Sequence, residues 1–233
     1  MIASERKKII IDEIEAKGSV SIEDLCQITA ASVSTLRRDL TDLEEQGRLN
    51  RVHGGAEEVT DLSLEAGILE KESKNVKEKQ EIAKKAVNFL NDGDVIFIDA
   101  GSTTAFFVAE ILTKNLSLTI VTNSVTHASK LQGDKLSVYV LGGAIKRLTD
   151  AVVGSQAQRQ LMTFNFTKAF LGANAISERG ISTPDLEEAK IKEEAKKHAL
   201  ETYILADSSK FNHNSFVKFA DIDQVNLISD KEY

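Results

Sequence analysis

Tryptophan is absent from this 233-residue chain and aromatic residues make up only 6% of it, which argues against a carbohydrate cleft lined by stacked rings. A single cysteine, Cys26, excludes an intrachain disulfide and argues against a cysteine-based metal cluster. The longest apolar runs are strand-sized, so no segment reads as a membrane span. The opening Met1–Lys8 has neither an apolar core nor a small-residue cleavage site, so no signal peptide is expected and a cytoplasmic location is the plain reading. Positive charge is also in short supply. The net charge of −7 argues against a protein that coats nucleic acid indiscriminately, yet it is compatible with a sequence-specific binder whose cations gather on one face. What the chain does have is 42% hydrophobic residues, enough to bury a core in one large domain or in one large and one small.

The character of the sequence changes near residue 57. Residues 1–56 read as three helices and a hairpin, 57–75 as a charged linker with some helix, and 76–233 as alternating strands and helices. A first helix is expected over Glu5–Ala16, with Ser4 as its cap, Ile10, Ile11 and Ile14 on its apolar face, and Gly18 as its stop. Ser21-Ile22-Glu23-Asp24 resembles a capping box and opens a short helix that ends near Thr29. A third helix follows Ser32 and runs to about Gln46, with Val33, Leu36, Leu40 and Leu43 on one side. Arg48–His53 reads as a strand, and Gly54-Gly55 as a tight turn able to fold a hairpin wing.

In the longer part, strands are expected at Val95–Asp99, Thr119–Thr122, Ser137–Leu141, Lys168–Gly172, Thr202–Asp207 and Val225–Ser229. Helices are expected at Lys79–Leu90, Ala105–Leu112, Ser124–Leu131, Gln156–Met162 and Glu187–Leu200, the last started by Thr183 and by the only proline, Pro184. Apolar strands alternating with amphipathic helices imply an α/β fold with a parallel sheet covered on both faces.

Two constellations carry chemistry. A helix-turn-helix places the start of its second helix in the major groove, where small polar side chains and arginine read base edges and phosphates. Ser34, Thr35, Arg37 and Arg38 supply that set, with Arg48, Arg51 and His53 on or beside the wing and Arg6, Lys7 and Lys8 at the start of the first helix. Residues 1–56 nevertheless hold 8 Lys and Arg against 10 Asp and Glu, so charge alone favours an ordinary solvated helix face. The order of helix, short helix, capped helix and Gly-Gly hairpin favours DNA binding.

The second constellation lies where ligands bind in open parallel sheets, beyond the carboxyl ends of the strands. The first strand runs into Asp99-Ala100-Gly101-Ser102-Thr103-Thr104 and then a helix, an arrangement of hydroxyls and free amides that suits an anion such as phosphate. The other strands end in Thr122-Asn123-Ser124, in Gly142-Gly143, in Gly172-Ala173-Asn174 and in Asp207-Ser208-Ser209-Lys210. Asp99 would bond sugar hydroxyls, and Lys210 would bring positive charge to a phosphate unless it is simply a solvated loop lysine. Lys79 and Lys192 are candidates of the same kind. The four histidines show no metal-ligand spacing and read as structural or surface residues, and no catalytic triad, Walker sequence or dinucleotide fingerprint is present. No metal or cofactor is expected.

Both parts resemble the DeoR family of bacterial sugar-metabolism repressors. Ser34-Thr35-Leu36-Arg37-Arg38-Asp39-Leu40, Leu43-Glu44-Glu45-Gln46-Gly47 and Arg51-Val52-His53-Gly54-Gly55-Ala56 are similar to the family's recognition helix and wing. Gly93–Thr104, Val121–Ser124, Leu141–Gly143, Asp150 with Val153-Gly154, and Ala206–Phe211 are similar to its sensor half. The resemblance implies a sensor fold like ribose-5-phosphate isomerase used for binding, double-stranded operator DNA and a phosphorylated sugar as partners, and a homodimer or homotetramer on paired half-sites. Ser4–Lys7, Gly93–Phe107 and Asn165–Phe170 look most like the fructose-operon repressors of Gram-positive bacteria, which implies fructose 1-phosphate as inducer. One departure is the turn between the second and third helices, where Ala30-Ala31 replaces the usual glycine and apolar residue. An isomerase with an appended N-terminal domain, using Asp99, Asp207 or Glu188 as acid–base group, and a protein-interaction module stand as alternatives.

Overall fold

The computed structural model describes residues 1–57 and 62–233, with Glu15 and Ala16 described by backbone only. The chain forms two compact units, Met1–Asp61 and Leu62–Tyr233.

The first unit runs α1 (Ala3–Lys17), β1 (Ser19–Ser21), α2 (Ile22–Thr29), α3 (Val33–Glu45), β2 (Asn50–Val52) and β3 (Gly55–Glu57). Helix α1 starts earlier than expected: Ile2 stands at its cap in extended backbone, and Ser4 lies inside the first turn. The other two caps act as the sequence implies, with Ser21 accepting the Asp24 N–H at 3.0 Å and Ser32 that of Thr35 at 3.3 Å. Ile10, Ile14, Leu25, Leu36, Leu40 and Leu43 close one small core. Val33, expected on that face, is 40% exposed at the first position of α3. Strands β2 and β3 form the antiparallel hairpin, and β1 adds to it in the order β1-β3-β2. Gly55 is the residue that permits this: a Cβ there would lie 2.2 Å from the Val20 carbonyl oxygen.

The second unit opens with α4 (Ile68–Ser73) and α5 (Val76–Ala86), then β4 (Val95–Ile98), α6 (Ser102–Ile111), β5 (Leu118–Thr122), α7 (Val125–Lys130) and β6 (Leu136–Val140). It continues through β7 (Ala144–Lys146), β8 (Ala151–Val153), α8 (Ser155–Leu161), β9 (Phe166–Gly172), β10 (Ala175–Ser177), β11 (Gly180–Thr183) and α9 (Leu186–Lys197). It ends with β12 (Ala199–Leu205), β13 (Val217–Ala220) and β14 (Asn226–Ile228). All six expected strands join one parallel sheet in the order β14-β12-β9-β4-β5-β6. Alternate residues of β4 point to opposite faces. Ile96 and Ile98 pack with Ile82, Phe107 and Ile111, while Phe97 packs with Ala157, Leu161 and Ile191. Helix α9 is capped by Asp185, which accepts the Glu188 N–H at 2.9 Å, and not by Thr183, which ends β11.

The boundary between the units differs from the expected linker 57–75. Residues 58–61 lie outside the described residues, but from Leu62 onward the segment packs on the second unit. The Leu62 carbonyl accepts the Phe216 N–H at 2.9 Å, and the Leu148 carbonyl accepts the Ile68 N–H at 2.8 Å. Glu65 pairs with Lys71 at 3.2 Å and also with Lys146, which in turn reaches Glu188 at 3.1 Å and Asp185 at 3.0 Å. Charges that look solvated in the sequence are therefore used to fasten the segment. Among the described residues no helix is long and apolar enough to cross a membrane.

Ala30 ends α2 at φ 54°, ψ 25°, the left-handed conformation that glycine adopts more cheaply. Ala30→Gly should relieve that strain, less the extra chain entropy glycine loses on folding, for a net gain of about 0.5 kcal/mol and a rise of about 3 °C in the unfolding midpoint of the first unit. Calorimetry on the full chain checks it; an unchanged or lower midpoint refutes the strain argument.

Candidate functional site

In the first unit the outer side of α3 presents Ser34, Arg37 and Arg38 to solvent, with Thr35 half-buried behind them. Neither guanidinium has a hydrogen-bond or ion-pair partner among the described residues, and the Arg37 carbonyl accepts from the Thr41 hydroxyl at 2.9 Å. On the inner side an acid occupies a core position. Asp39 is 4% exposed and accepts two bonds from Arg6, at 2.5 and 3.2 Å. Lys7 pairs with Asp42 at 2.7 Å. Arg6 and Lys7, expected to meet a DNA backbone, thus bind α1 to α3, while Lys8 is exposed. Arg51 is tied to the same helix, donating to the Thr41 hydroxyl at 2.7 Å, and its backbone N–H reaches Glu44 at 3.0 Å. Arg48 is half-buried at the entrance to the hairpin, and His53 is exposed in its turn.

In the second unit the strand order reverses beside β4: β5 and β6 extend to one side of it, β9, β12 and β14 to the other. Asp99 follows β4 at this point and is 2% exposed. Its carboxylate accepts from Asn123 Nδ2 at 3.3 Å, from the Gly172 N–H at 3.1 Å, and from Lys192, itself 3% exposed. Burial pushes the Asp99 carboxyl up, and the Lys192 ammonium pulls it back down. Asp99 and Lys192, both expected to meet a ligand, are bonded to each other.

The loop that follows leads into α6. Gly101 caps this helix at φ 152°, with no side-chain cap. Thr104 is fully buried and donates back to the Gly101 carbonyl at 3.0 Å. Ser102 and Thr103 therefore stand in the first turn, where the helix amides lack intrahelical acceptors. Several other expected residues act as supports. The Thr122 hydroxyl accepts the Ser124 N–H at 3.1 Å, and Asn123 accepts the Ala100 N–H at 2.7 Å. Ser124 donates to Asp150 at 2.7 Å. The Gly142 N–H is taken by Gln160 at 2.8 Å, and a Cβ on Gly143 would lie 2.6 Å from the Val153 carbonyl oxygen. Lys79 is buried and donates to the Lys71 and Lys74 carbonyls at the end of α4, so it too serves the fold; burial lowers its pKa to about 8. Lys210 is half-buried, and its charge further lowers the pKa of Lys71 and Lys79.

A cavity of about 420 Å³ opens at the Gly101 end of α6. Gly101, His127 and Asp150 line it, Lys130 and Arg147 bring positive charge, and α4 contributes Ile68, Leu69 and Glu72. Only Gly101 and Asp150 among these were expected. Lys130 sits one helical turn after His127, a spacing visible in the sequence. Arg147 comes from beyond the β7 strand and the remaining wall from the segment read as a linker, so neither carried a local signal. The volume lies within the ordinary range of small-molecule sites.

A helix-turn-helix with a hairpin wing, joined to an α/β unit with a cavity beyond the carboxyl end of β4, defines a DNA-binding regulator with a sensor domain. The sequence matches the model of the DeoR-like helix-turn-helix domain over residues 6–61 and that of the DeoR C terminal sensor domain over 74–231. The chain belongs to the DeoR family. It is 44% identical to an uncharacterised HTH-type transcriptional regulator, FruR, of Bacillus subtilis, over 98% of this chain and 91% of that one. It is 35% identical to a lactose phosphotransferase system repressor of Staphylococcus epidermidis, over 92% and 86%. Among solved structures it is similar to ribose 5-phosphate isomerase A from Methanocaldococcus jannaschii, with a TM-score of 0.44 and 21% identity over 59% of this chain and 55% of that one.

Lys192→Met would leave the Asp99 carboxylate buried without a cation. The second unit should lose about 3 kcal/mol of stability, and Asp99→Asn combined with Lys192→Met should lose clearly less. Denaturant titration of the three proteins checks this; equal losses in the single and double variants would show that the pair contributes nothing specific.

Proposed function

We propose that this chain is a transcriptional repressor of a sugar-utilisation operon, that it binds double-stranded operator DNA through α3 and the wing, and that a phosphorylated sugar in the cavity releases it. The observation that carries the reading is the cavity itself: Gly101, the cap of α6 without a side-chain bond, at one side, and the side chains of Lys130 and Arg147 free of partners among the described residues. Helix amides and two cations suit a phosphate dianion, and the remaining space suits a hexose. The family membership and the relatives named as regulators and repressors support the repressor part.

Fructose is the sugar we infer, with fructose 1-phosphate as inducer. The resemblance to fructose-operon repressors and the 44% identity to a regulator named FruR support it. The acid–base groups an isomerase would use are engaged elsewhere: Asp99 by Lys192, Glu188 by Lys146 and Thr149, and Asp207 by Asn75. A homodimer or homotetramer would place two recognition helices on paired half-sites. Coupling runs through α4, which walls the cavity and follows the first unit in the chain. A phosphate beside Lys130 and Arg147 is also beside Glu72, so occupancy favours one placement of α4 over another.

A gel shift with DNA from upstream of the chain's own gene tests the reading. Fructose 1-phosphate should weaken the shift about tenfold or more, and other sugar phosphates less. Arg38→Ala should weaken operator binding by about tenfold while the thermal shift given by the sugar phosphate persists. Thr103→Val should bind the operator normally and respond poorly to the inducer. Retained operator affinity in the first variant, or full induction in the second, would refute the corresponding assignment.

A further inference from the structure

We propose that His127 reads a hydroxyl of the phosphorylated sugar through its Nδ1 atom and so sets which sugar phosphates the cavity accepts. The inference rests on the effector reading above and adds to it a residue and a chemical group.

His127 lines the cavity, is 3% exposed, and its Nδ1 is buried with no hydrogen-bond partner. A buried polar nitrogen left unpaired is unfavourable, so a ligand that pairs it binds more tightly for doing so. The backbone that carries the ring is held in place. Its backbone N–H donates to the Ser124 hydroxyl at 3.0 Å, and that hydroxyl donates to Asp150 at 2.7 Å. The start of α7 is thus fixed before any ligand arrives.

The chemistry of the partner follows from the charge state. Burial pushes the His127 pKa down to about 4, against the pull of Asp150 and the Gly101 backbone and with the push of Lys130. At neutral pH the ring is uncharged, with one N–H and one lone pair, and offers no counter-charge to a phosphate. That role falls to Lys130, Arg147 and the start of α6. A hydroxyl both donates and accepts, so it pairs with Nδ1 whichever nitrogen carries the proton. His127 and Lys130 share one face of α7, three residues apart, which sets a hydroxyl-reading group beside a phosphate-attracting one. Sites that hydrogen-bond a substrate hydroxyl discriminate strongly against analogues lacking it.

Calorimetric titration of the full chain with fructose 1-phosphate, and separately with inorganic phosphate, tests the proposal. His127→Phe keeps a flat ring and removes both nitrogens. It should weaken fructose 1-phosphate binding about tenfold or more while leaving inorganic phosphate unaffected. His127→Asn, which returns a polar group near the Nδ1 position, should recover much of the loss. In the wild-type protein the Nδ1 nitrogen-15 resonance of His127 should move when fructose 1-phosphate is added and stay put with inorganic phosphate. Unchanged sugar-phosphate affinity in His127→Phe overturns the proposal, as does an unmoved resonance at saturation; the resonance decides even if the variant fails to fold. Should wild type bind no sugar phosphate at all, the effector reading fails first and takes this proposal with it, and the wild-type titration alone reports that.

Discussion

The Asp99 carboxylate is the interaction on which the sensor unit depends. Three elements beyond its own strand donate to it: Asn123 after β5, the Gly172 N–H at the end of β9, and Lys192 from α9. A doubly wound sheet must open a crevice where its strand order reverses, because the connections on the two sides leave in opposite directions. Here the crevice is beside β4, and a buried charge with a full set of donors joins its walls. Asn123 extends the same network by accepting the Ala100 N–H, which fixes the backbone just before Gly101 and therefore the start of α6. The cavity borrows its rigidity from this arrangement. An unpaired carboxylate at the same depth would carry a desolvation penalty of several kcal/mol.

This network also shows why some of the site was legible in the sequence and some was not. The six main strands were visible because strands covered on both faces are rich in apolar and β-branched residues, as Val95–Ile98 and Leu118–Thr122 are. The short antiparallel strands, such as Ala151–Val153 and Gly180–Thr183, were not read from the sequence, and their pairing is settled by tertiary contacts. The polar strand ends were recognisable as a group. Their division into groups that face the cavity and groups that support it was not. Asp99 and Lys192 are ninety-three positions apart, and nothing local to either residue says that they meet. A charge beside a ligand site and a charge holding that site together look alike in one dimension. The reverse error concerns the 57–75 segment, where Glu65 looks like a linker acid and is instead held by two lysines.

The first unit resolves a conflict that the charge count left open. Its acids outnumber its bases, which would suit an ordinary solvated domain. Two of those acids, Asp39 and Asp42, face α1 and take up Arg6 and Lys7. Arg37 and Arg38, on the other side of the same helix, are left exposed. Pairing on the inner side separates the charges across α3, so a helix with more acids than bases still presents Arg37 and Arg38 outward. The rest of the chain is acidic enough to oppose indiscriminate attachment to DNA, which leaves affinity to the contacts that this edge can make.

Cavity and connecting segment are built from the same residues, and that has a thermodynamic consequence. A ligand alters a protein's state only by binding two arrangements unequally. A cavity enclosed wholly by the sheet and its packed helices would have one arrangement and no leverage. The wall supplied by Ile68, Leu69 and Glu72 belongs instead to α4, a helix of six residues with no buried side chain, docked by backbone hydrogen bonds and by the Glu65–Lys146 pair. It is attached by polar contacts, among them the buried Lys79 ammonium on the Lys71 and Lys74 carbonyls, on one side of a site whose other walls come from α6, α7 and the 147–150 turn. In the effector reading proposed above, α4 is the wall of the cavity with no buried side chain, and in the chain it follows the first unit.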